Sequence, residues 1–140
     1  MSFRPWRQAL AIVLLAVLPA LASAFFHPKR PAWSRETLAK DEVTVAMAQG
    51  MEGVVWVDAR PAKAFAVEHI PGAFSLNEDG WNHLLLPFAM QFQPEQTIVV
   101  YCDSLECNAS HQVAARLRKE LGAQKVFVLK GGWESWKAAK

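Results

Sequence analysis

The chain has 140 residues, of which 52% are hydrophobic, and it carries 15 Lys and Arg residues against 13 Asp and Glu residues. This length suits one domain, and so high an apolar fraction excludes an intrinsically disordered chain. Two cysteines are too few for a disulfide scaffold or a four-cysteine zinc site. A net charge of +2 is too small to indicate nucleic-acid binding. We therefore expect neither a metal site nor a nucleic-acid partner.

The N-terminal segment 1–24 has the composition of an export signal. Arg4 and Arg7 are its only charges and account for the whole net charge, because the rest of the chain holds 13 charges of each sign. An uncharged apolar run follows and includes the small residues of Ala22-Ser23-Ala24, the form of a cleavable secretory signal. Because the run continues through Phe26 to about 18 residues, an uncleaved membrane anchor is the alternative. Either form predicts an exported domain, periplasmic or anchored to the outside of the cytoplasmic membrane.

The rest of the chain divides into a proline-containing linker, residues 25–34, and a domain, residues 35–140. Apolar spacing and turn residues predict the elements of the domain in this order: helix 35–48 capped by Ser34, strand 54–57, helix 62–68, strand 74–76, helix 80–91, strand 97–101, helix 111–121, strand 126–129 and helix 133–139. Alternating strands and helices are typical of a parallel sheet covered by helices on both faces.

The clearest strand of the domain, 97–101, ends directly on Cys102. Ligands of parallel α/β folds bind outside the carboxyl ends of the strands. A loop and a helix follow Cys102, and the helix dipole together with loop amides favours negative charge on its sulfur. Both effects lower the pKa of a cysteine and make its thiolate available. We therefore predict that Cys102 is a nucleophile.

Four segments resemble the rhodanese-like domain family in order and spacing: Val57-Asp58-Ala59-Arg60, His69-Ile-Pro-Gly-Ala73, Ile98-Val-Val-Tyr-Cys102 and Leu129-Lys-Gly-Gly-Trp133. The resemblance implies an α/β rhodanese-like fold, a five-stranded parallel sheet flanked by helices on both faces. It also implies a cofactor-free sulfurtransferase in which Cys102 carries a persulfide. Sulfane sulfur would pass from a small sulfur donor or a protein persulfide to a thiol or another nucleophilic acceptor.

Other residues of the matched segments are expected to have structural roles. Asp58 is expected to accept backbone hydrogen bonds rather than act as an acid, and Arg60 to pair with an acid near the edge of the domain. Gly131 and Gly132 are expected to form a turn, which either brings backbone close to the site or is an ordinary turn. His69 is expected to be structural, with general-base catalysis as the alternative.

The loop after Cys102 is expected to cradle the charged persulfide through its backbone amides. Its residues are Asp103, Ser104, Leu105, Glu106, Cys107 and Asn108. The family commonly has Arg or Lys five positions after the cysteine and Ser next, whereas this chain has Cys107 and Asn108, with Ser110 two positions late. Because Asp103 and Glu106 make the rim acidic, we expect a neutral or protein-borne persulfide to be a better donor than thiosulfate. Asn108 also replaces the Arg of the C-x5-R loop of rhodanese-fold phosphatases, which disfavours that activity.

The second cysteine of the loop leaves two further interpretations open. Cys107 is a candidate resolving residue or disulfide partner for Cys102 in an oxidising compartment. The pair would then make a thiol–disulfide redox protein, or a persulfide enzyme that releases sulfide. The alternative without catalysis is a binding module in which the disulfide is inert or Cys107 is buried. His111, at the predicted helix start, is expected to face solvent rather than to assist Cys102.

Overall fold

The computed structural model describes residues 38–103 and 108–140, together with four isolated N-terminal positions. The chain divides into two units, Met1–Thr37 and Leu38–Lys140. In the first unit the described residues are helical and exposed: Trp6, Val13, Leu15 and Val17. The rest of the predicted export segment, its cleavage position, the linker and the Ser34 cap lie outside the described residues. None of the helices among the described residues is long and apolar enough to cross a membrane.

The second unit is built on a five-stranded sheet. Its strands are β1 (Glu42–Val43), β2 (Val54–Asp58), β3 (Phe74–Ser75), β4 (Thr97–Tyr101) and β5 (Val126–Leu129), in the spatial order β1-β5-β4-β2-β3. Every neighbouring pair is parallel. The central strand β4 is paired on both edges and buried on both faces, which explains its continuous apolar run. The predicted five-stranded parallel α/β fold is confirmed.

The described residues of this unit form five helices: α1 (Val45–Gln49), α2 (Ala62–Val67), α3 (Trp81–Gln91), α4 (Ala109–Leu121) and α5 (Gly132–Ala138). The side chains of alternate residues of β4 point to opposite faces of the sheet, as in any β-strand. Ile98 and Val100 join a core that contains residues of α3 and α4. Val99 and Tyr101 join a second core that contains residues of α1 and α5. The sheet therefore separates two apolar cores.

Within its described part, the predicted helix 35–48 is confirmed only over residues 45–48. Glu42–Val43 form β1, and the helix covers only Val45–Gln49, where the Thr44 hydroxyl accepts a hydrogen bond from Met47 N–H at 3.3 Å. Pairing with β5 buries Val43 to 2% exposure. This long-range pairing outweighs a local helix propensity that is weak for a mixed polar and apolar sequence.

The start of α4 also differs from its prediction. The helix begins at Ala109, two residues before the predicted start at His111. It ends at Leu121 as predicted, because Gly122 has the left-handed conformation, φ 67°, that favours glycine. The earlier start brings Ser110 into the first turn of α4, and this changes the composition of the site.

Candidate active site

Cys102 lies immediately after β4, at the carboxyl edge of the sheet. Its side chain is 2% exposed, and its Sγ lies 3.3 Å from the hydroxyl oxygen of Ser110, with either atom able to donate. Ser110 is equally buried and belongs to the first turn of α4. The sulfur therefore has a hydroxyl neighbour at a helix N-terminus, where the helix dipole favours a thiolate over a thiol.

The structure describes only the two ends of the loop after Cys102. Asp103 follows the cysteine directly, and Asn108 precedes α4 with an exposed side chain that makes no capping hydrogen bond. The predictions for Ser104, Leu105, Glu106 and Cys107 concern residues outside the described ranges. The amide cradle and the Cys102–Cys107 disulfide therefore stay predictions.

The turn between β5 and α5 packs directly against the backbone of Cys102. Trp133 N–H donates to Cys102 O at 2.7 Å, and Glu134 N–H donates to Asp103 O at 3.2 Å. Gly132 has φ 52°, and a Cβ at this position would lie 2.2 Å from Cys102 O. Glycine is required here for the close approach of two backbones. The first N–H groups of α5 thus orient two consecutive peptide groups at the site.

Arg60 connects the end of β2 with this region. Its Nη2 donates to Asp58 Oδ2 at 2.7 Å and to Glu68 O at 2.7 Å, and its Nε contacts both Asp58 oxygens. The guanidinium carbon lies 4.6 Å from the centroid of the Trp133 ring. Nη1 lies 3.7 Å from Asp103 Oδ1. One buried cation therefore contacts β2, the end of α2, the first turn of α5 and the loop.

The main partner of Arg60 is the fully buried Asp58, and the exposed Asp103 is a second, more distant acidic partner at 3.7 Å. Asp58 also accepts the backbone N–H of Arg60 at 2.9 Å, so the expected backbone hydrogen bond is present. A buried ion pair persists when its charges are fully hydrogen-bonded, and this bidentate geometry meets that requirement.

Tyr101 and Arg60 are ionisable residues of this region, and each stays in one protonation state at neutral pH. Burial raises the pKa of Tyr101, and a hydrogen bond with Asp58 raises it further. Burial would lower the pKa of Arg60, but the hydrogen bond and the charge of Asp58 raise it overall. Tyr101 Oη accepts the backbone N–H of Ile70 at 3.1 Å. A neutral phenol and a charged guanidinium at neutral pH serve to support the site rather than to transfer protons.

His69 and His111 differ in their burial and their contacts. His69 is half-buried, its Nδ1 lies 2.9 Å from Phe65 O, and its ring stacks on that of Phe65 with centroids 3.9 Å apart. His111 is exposed in the first turn of α4. Over residues 38–103 and 108–140, no cluster of His, Cys, Asp and Glu side chains could hold a metal ion.

Sequence reasoning missed Ser110 as a site residue. Ser110 lies two positions later than the serine of the family's usual loop. Asn108 is a favoured residue type at helix N-caps. A helix start at Ala109, read from that cap, would have placed Ser110 in the first turn beside Cys102. The contact of Arg60 with Trp133 had no signal in the sequence, because it joins distant segments.

The sequence profile of the rhodanese-like domain matches residues 41–139. The chain is 33% identical over 93 residues to a thiosulfate sulfurtransferase GlpE from Pseudomonas savastanoi pv. phaseolicola, covering 66% of this chain and 81% of that relative. A second GlpE, from Pseudomonas putida strain GB-1, is 37% identical over 87 residues, covering 62% of this chain and 73% of the relative.

The fold is also similar to those of solved structures. The BH2092 protein from Bacillus halodurans superposes with a TM-score of 0.57 at 32% identity, covering 70% of this chain and 72% of that one. A rhodanese-related protein from Thermoplasma volcanium has the same fold at 15% identity, with a TM-score of 0.55 over 70% of this chain and 91% of that one. With its parallel sheet and a cysteine at the end of the central strand, the chain belongs to the rhodanese-like domain family, a family of sulfurtransferases.

Proposed function

We propose that this protein is a sulfurtransferase that carries sulfane sulfur as a persulfide on Cys102. The observation that supports the proposal best is the contact of 3.3 Å between Cys102 Sγ and the Ser110 hydroxyl, buried at the N-terminal end of α4. A nucleophilic cysteine needs its thiolate, and a helix N-terminus together with a hydroxyl donor stabilises that form.

The first half-reaction charges the enzyme. The Cys102 thiolate attacks the outer sulfur of the donor, a new S–S bond forms, and the donor's own bond to that sulfur breaks. The leaving group departs with the electron pair. The Ser110 hydroxyl is placed to donate to Cys102 Sγ, and backbone amides of the loop would stabilise charge on the terminal sulfur.

The second half-reaction restores the enzyme. An acceptor thiolate attacks the terminal sulfur of the Cys102 persulfide, and the bond between the two sulfurs breaks. Cys102 leaves as a thiolate, which the same Ser110 hydroxyl stabilises. This cycle requires a sulfur donor and a thiol acceptor as partners, and it requires no metal and no organic cofactor.

Arg60 and Gly132 support this chemistry without touching the reacting sulfur. Gly132 allows Trp133 N–H to hold Cys102 O at 2.7 Å. Arg60 lies against the Trp133 ring and is fixed by the buried Asp58. Both are positioning residues, and they explain why the motifs that contain them surround the cysteine in space.

Replacement of each cysteine tests the proposal. Cys102→Ser should abolish sulfur transfer from donor to a thiol or cyanide, because serine cannot hold sulfane sulfur. Cys107→Ser should retain turnover within about twofold if transfer passes directly from Cys102 to the acceptor. Equal loss in both variants would contradict the single-cysteine mechanism and favour a dithiol couple.

We also propose that residues 1–24 export the domain or anchor it outside the cytoplasmic membrane. The support is the sequence pattern alone: two arginines, an uncharged apolar run and Ala22-Ser23-Ala24. N-terminal sequencing of the protein from its native membrane and soluble fractions separates the two forms. Phe25 at the N-terminus indicates secretion, and a retained leader in the membrane fraction indicates an anchor. A retained leader in the cytoplasm would contradict both.

A further inference from the structure

Asp103 is the charged side chain nearest to Cys102 along the described chain, and both its backbone and its side chain are positioned by neighbours. Its carbonyl accepts Glu134 N–H at 3.2 Å, from the first turn of α5. Its carboxylate is 62% exposed and lies 3.7 Å from Arg60 Nη1. The negative charge is therefore presented to solvent one residue after the cysteine.

Arg60 does not balance both of its acidic neighbours. Its guanidinium is already paired with Asp58 at 2.7 Å, and both of these side chains are buried. Asp58, Arg60 and Asp103 together leave one net negative charge, and Asp103 is the member that solvent reaches. The nearby Glu134 is paired with Lys137 at 2.9 Å, so this second acid of the α5 turn is balanced on its own helix.

We propose that Asp103 determines donor specificity by disfavouring dianionic donors such as thiosulfate and favouring a persulfide of a thiol. The inference rests on the proposed sulfur transfer. In the favoured step the Cys102 thiolate attacks the outer sulfur of R–S–SH, and the products are the Cys102 hydropersulfide and the thiolate R–S⁻. Attack on thiosulfate instead brings two negative charges to a thiolate whose next residue carries the Asp103 carboxylate, and like charges repel even in water.

The test compares Asp103→Asn, a variant of nearly the same shape, with the unchanged protein. The donors are thiosulfate and cysteamine persulfide, whose ammonium group carries positive charge. The measured quantity is the second-order rate constant for the mass gain on the Cys102 peptide. We expect Asp103→Asn to raise the thiosulfate constant about five- to tenfold and to leave the cysteamine persulfide constant unchanged or lower.

Two variants control for charge and for shape. Glu52→Gln makes the same charge change at an exposed turn before β2, at the opposite end of that strand from Asp58, and should leave both constants unchanged. Asp103→Glu keeps the charge and should keep the donor preference. Added salt supplies a measurement without any variant, because screening should accelerate charging by thiosulfate in the unchanged protein more than in Asp103→Asn.

The outcomes separate this inference from the proposed function. If both donors charge Cys102 and Asp103→Asn changes the thiosulfate constant no more than Glu52→Gln does, the specificity role of Asp103 is wrong and sulfur transfer stands. If neither donor charges Cys102 of the unchanged protein, the proposed function fails, and the inference fails with it.

Discussion

The hydroxyl of Ser110 is the side-chain group whose removal should change the chemistry of Cys102 most selectively. A hydrogen bond to a charged group contributes about 1.5–3 kcal/mol, so Ser110→Ala should make the Cys102 thiolate harder to form and slow its charging at neutral pH about tenfold. The measurement is the pH dependence of alkylation of the Cys102 peptide, whose midpoint should rise by about one unit. Ser110→Thr keeps the hydroxyl and should restore the profile. An unchanged midpoint in Ser110→Ala would assign the contact to packing alone.

The ionisation of Tyr101 can be measured on its own, because it is the only tyrosine of the chain. Its pKa is raised in the folded state, chiefly by burial. A raised folded pKa contributes stability that is complete below the unfolded value, about 10, and is lost as pH rises further. Phenolate absorbance should therefore appear only together with alkaline unfolding. Phenolate formation in a chain that stays folded near pH 10 would show that Tyr101 is not shielded.

The residues of the site differ in how well the sequence predicts them. Cys102 could be predicted because the most apolar strand ends on it, and a strand end is where parallel folds place their chemistry. Ser110 could not be predicted without the correct helix start, since a shift of two residues moves a side chain by about half a helical turn. The main partner of Arg60, Asp58, was missed although it is only two residues away, because burial of an ion pair depends on what packs above it.

The contact of α5 with the β4 end is the element-scale feature on which the site depends. Gly132→Ala would place a Cβ 2.2 Å from Cys102 O, so either the α5 turn or Cys102 must move. Gly53 is the matched control, because its φ is 63° and nothing lies within 4 Å of a Cβ built there. We expect urea unfolding to show a loss for Gly132→Ala that exceeds the loss for Gly53→Ala by about 2 kcal/mol or more. Charging of Cys102 should slow only in the first variant, and equal effects at the two glycines would refute the close-approach argument.

Strands with a strong local sequence pattern could be predicted, whereas elements that depend on contacts with distant segments could not. β2, β4 and β5 are buried runs rich in β-branched residues, and their positions agree with the sequence to within a residue. β1 is only two residues long and exists through pairing with β5, so its local sequence favoured a helix. The boundary error at α4 has the same origin, because the loop before it sets where the helix begins.

At the scale of the whole molecule, alternating strands and helices predict a parallel sheet but do not order its strands. The observed order β1-β5-β4-β2-β3 depends on which apolar faces meet, and that information is long-range. It is this order that places β2 and β5 on either side of β4. Arg60 after β2 and Gly132 after β5 therefore meet around Cys102, and the scattered motifs of the sequence become one site.

The most direct test of sulfur transfer through Cys102 is the mass of the Cys102 peptide after the purified protein is incubated with a sulfur donor. We expect a gain of about 32 Da, one sulfur atom, that disappears when a thiol acceptor is added. A loss of about 2 Da without any gain would instead show a disulfide between Cys102 and Cys107. That result, or an unchanged mass in the folded protein with every donor, would contradict sulfur transfer through Cys102.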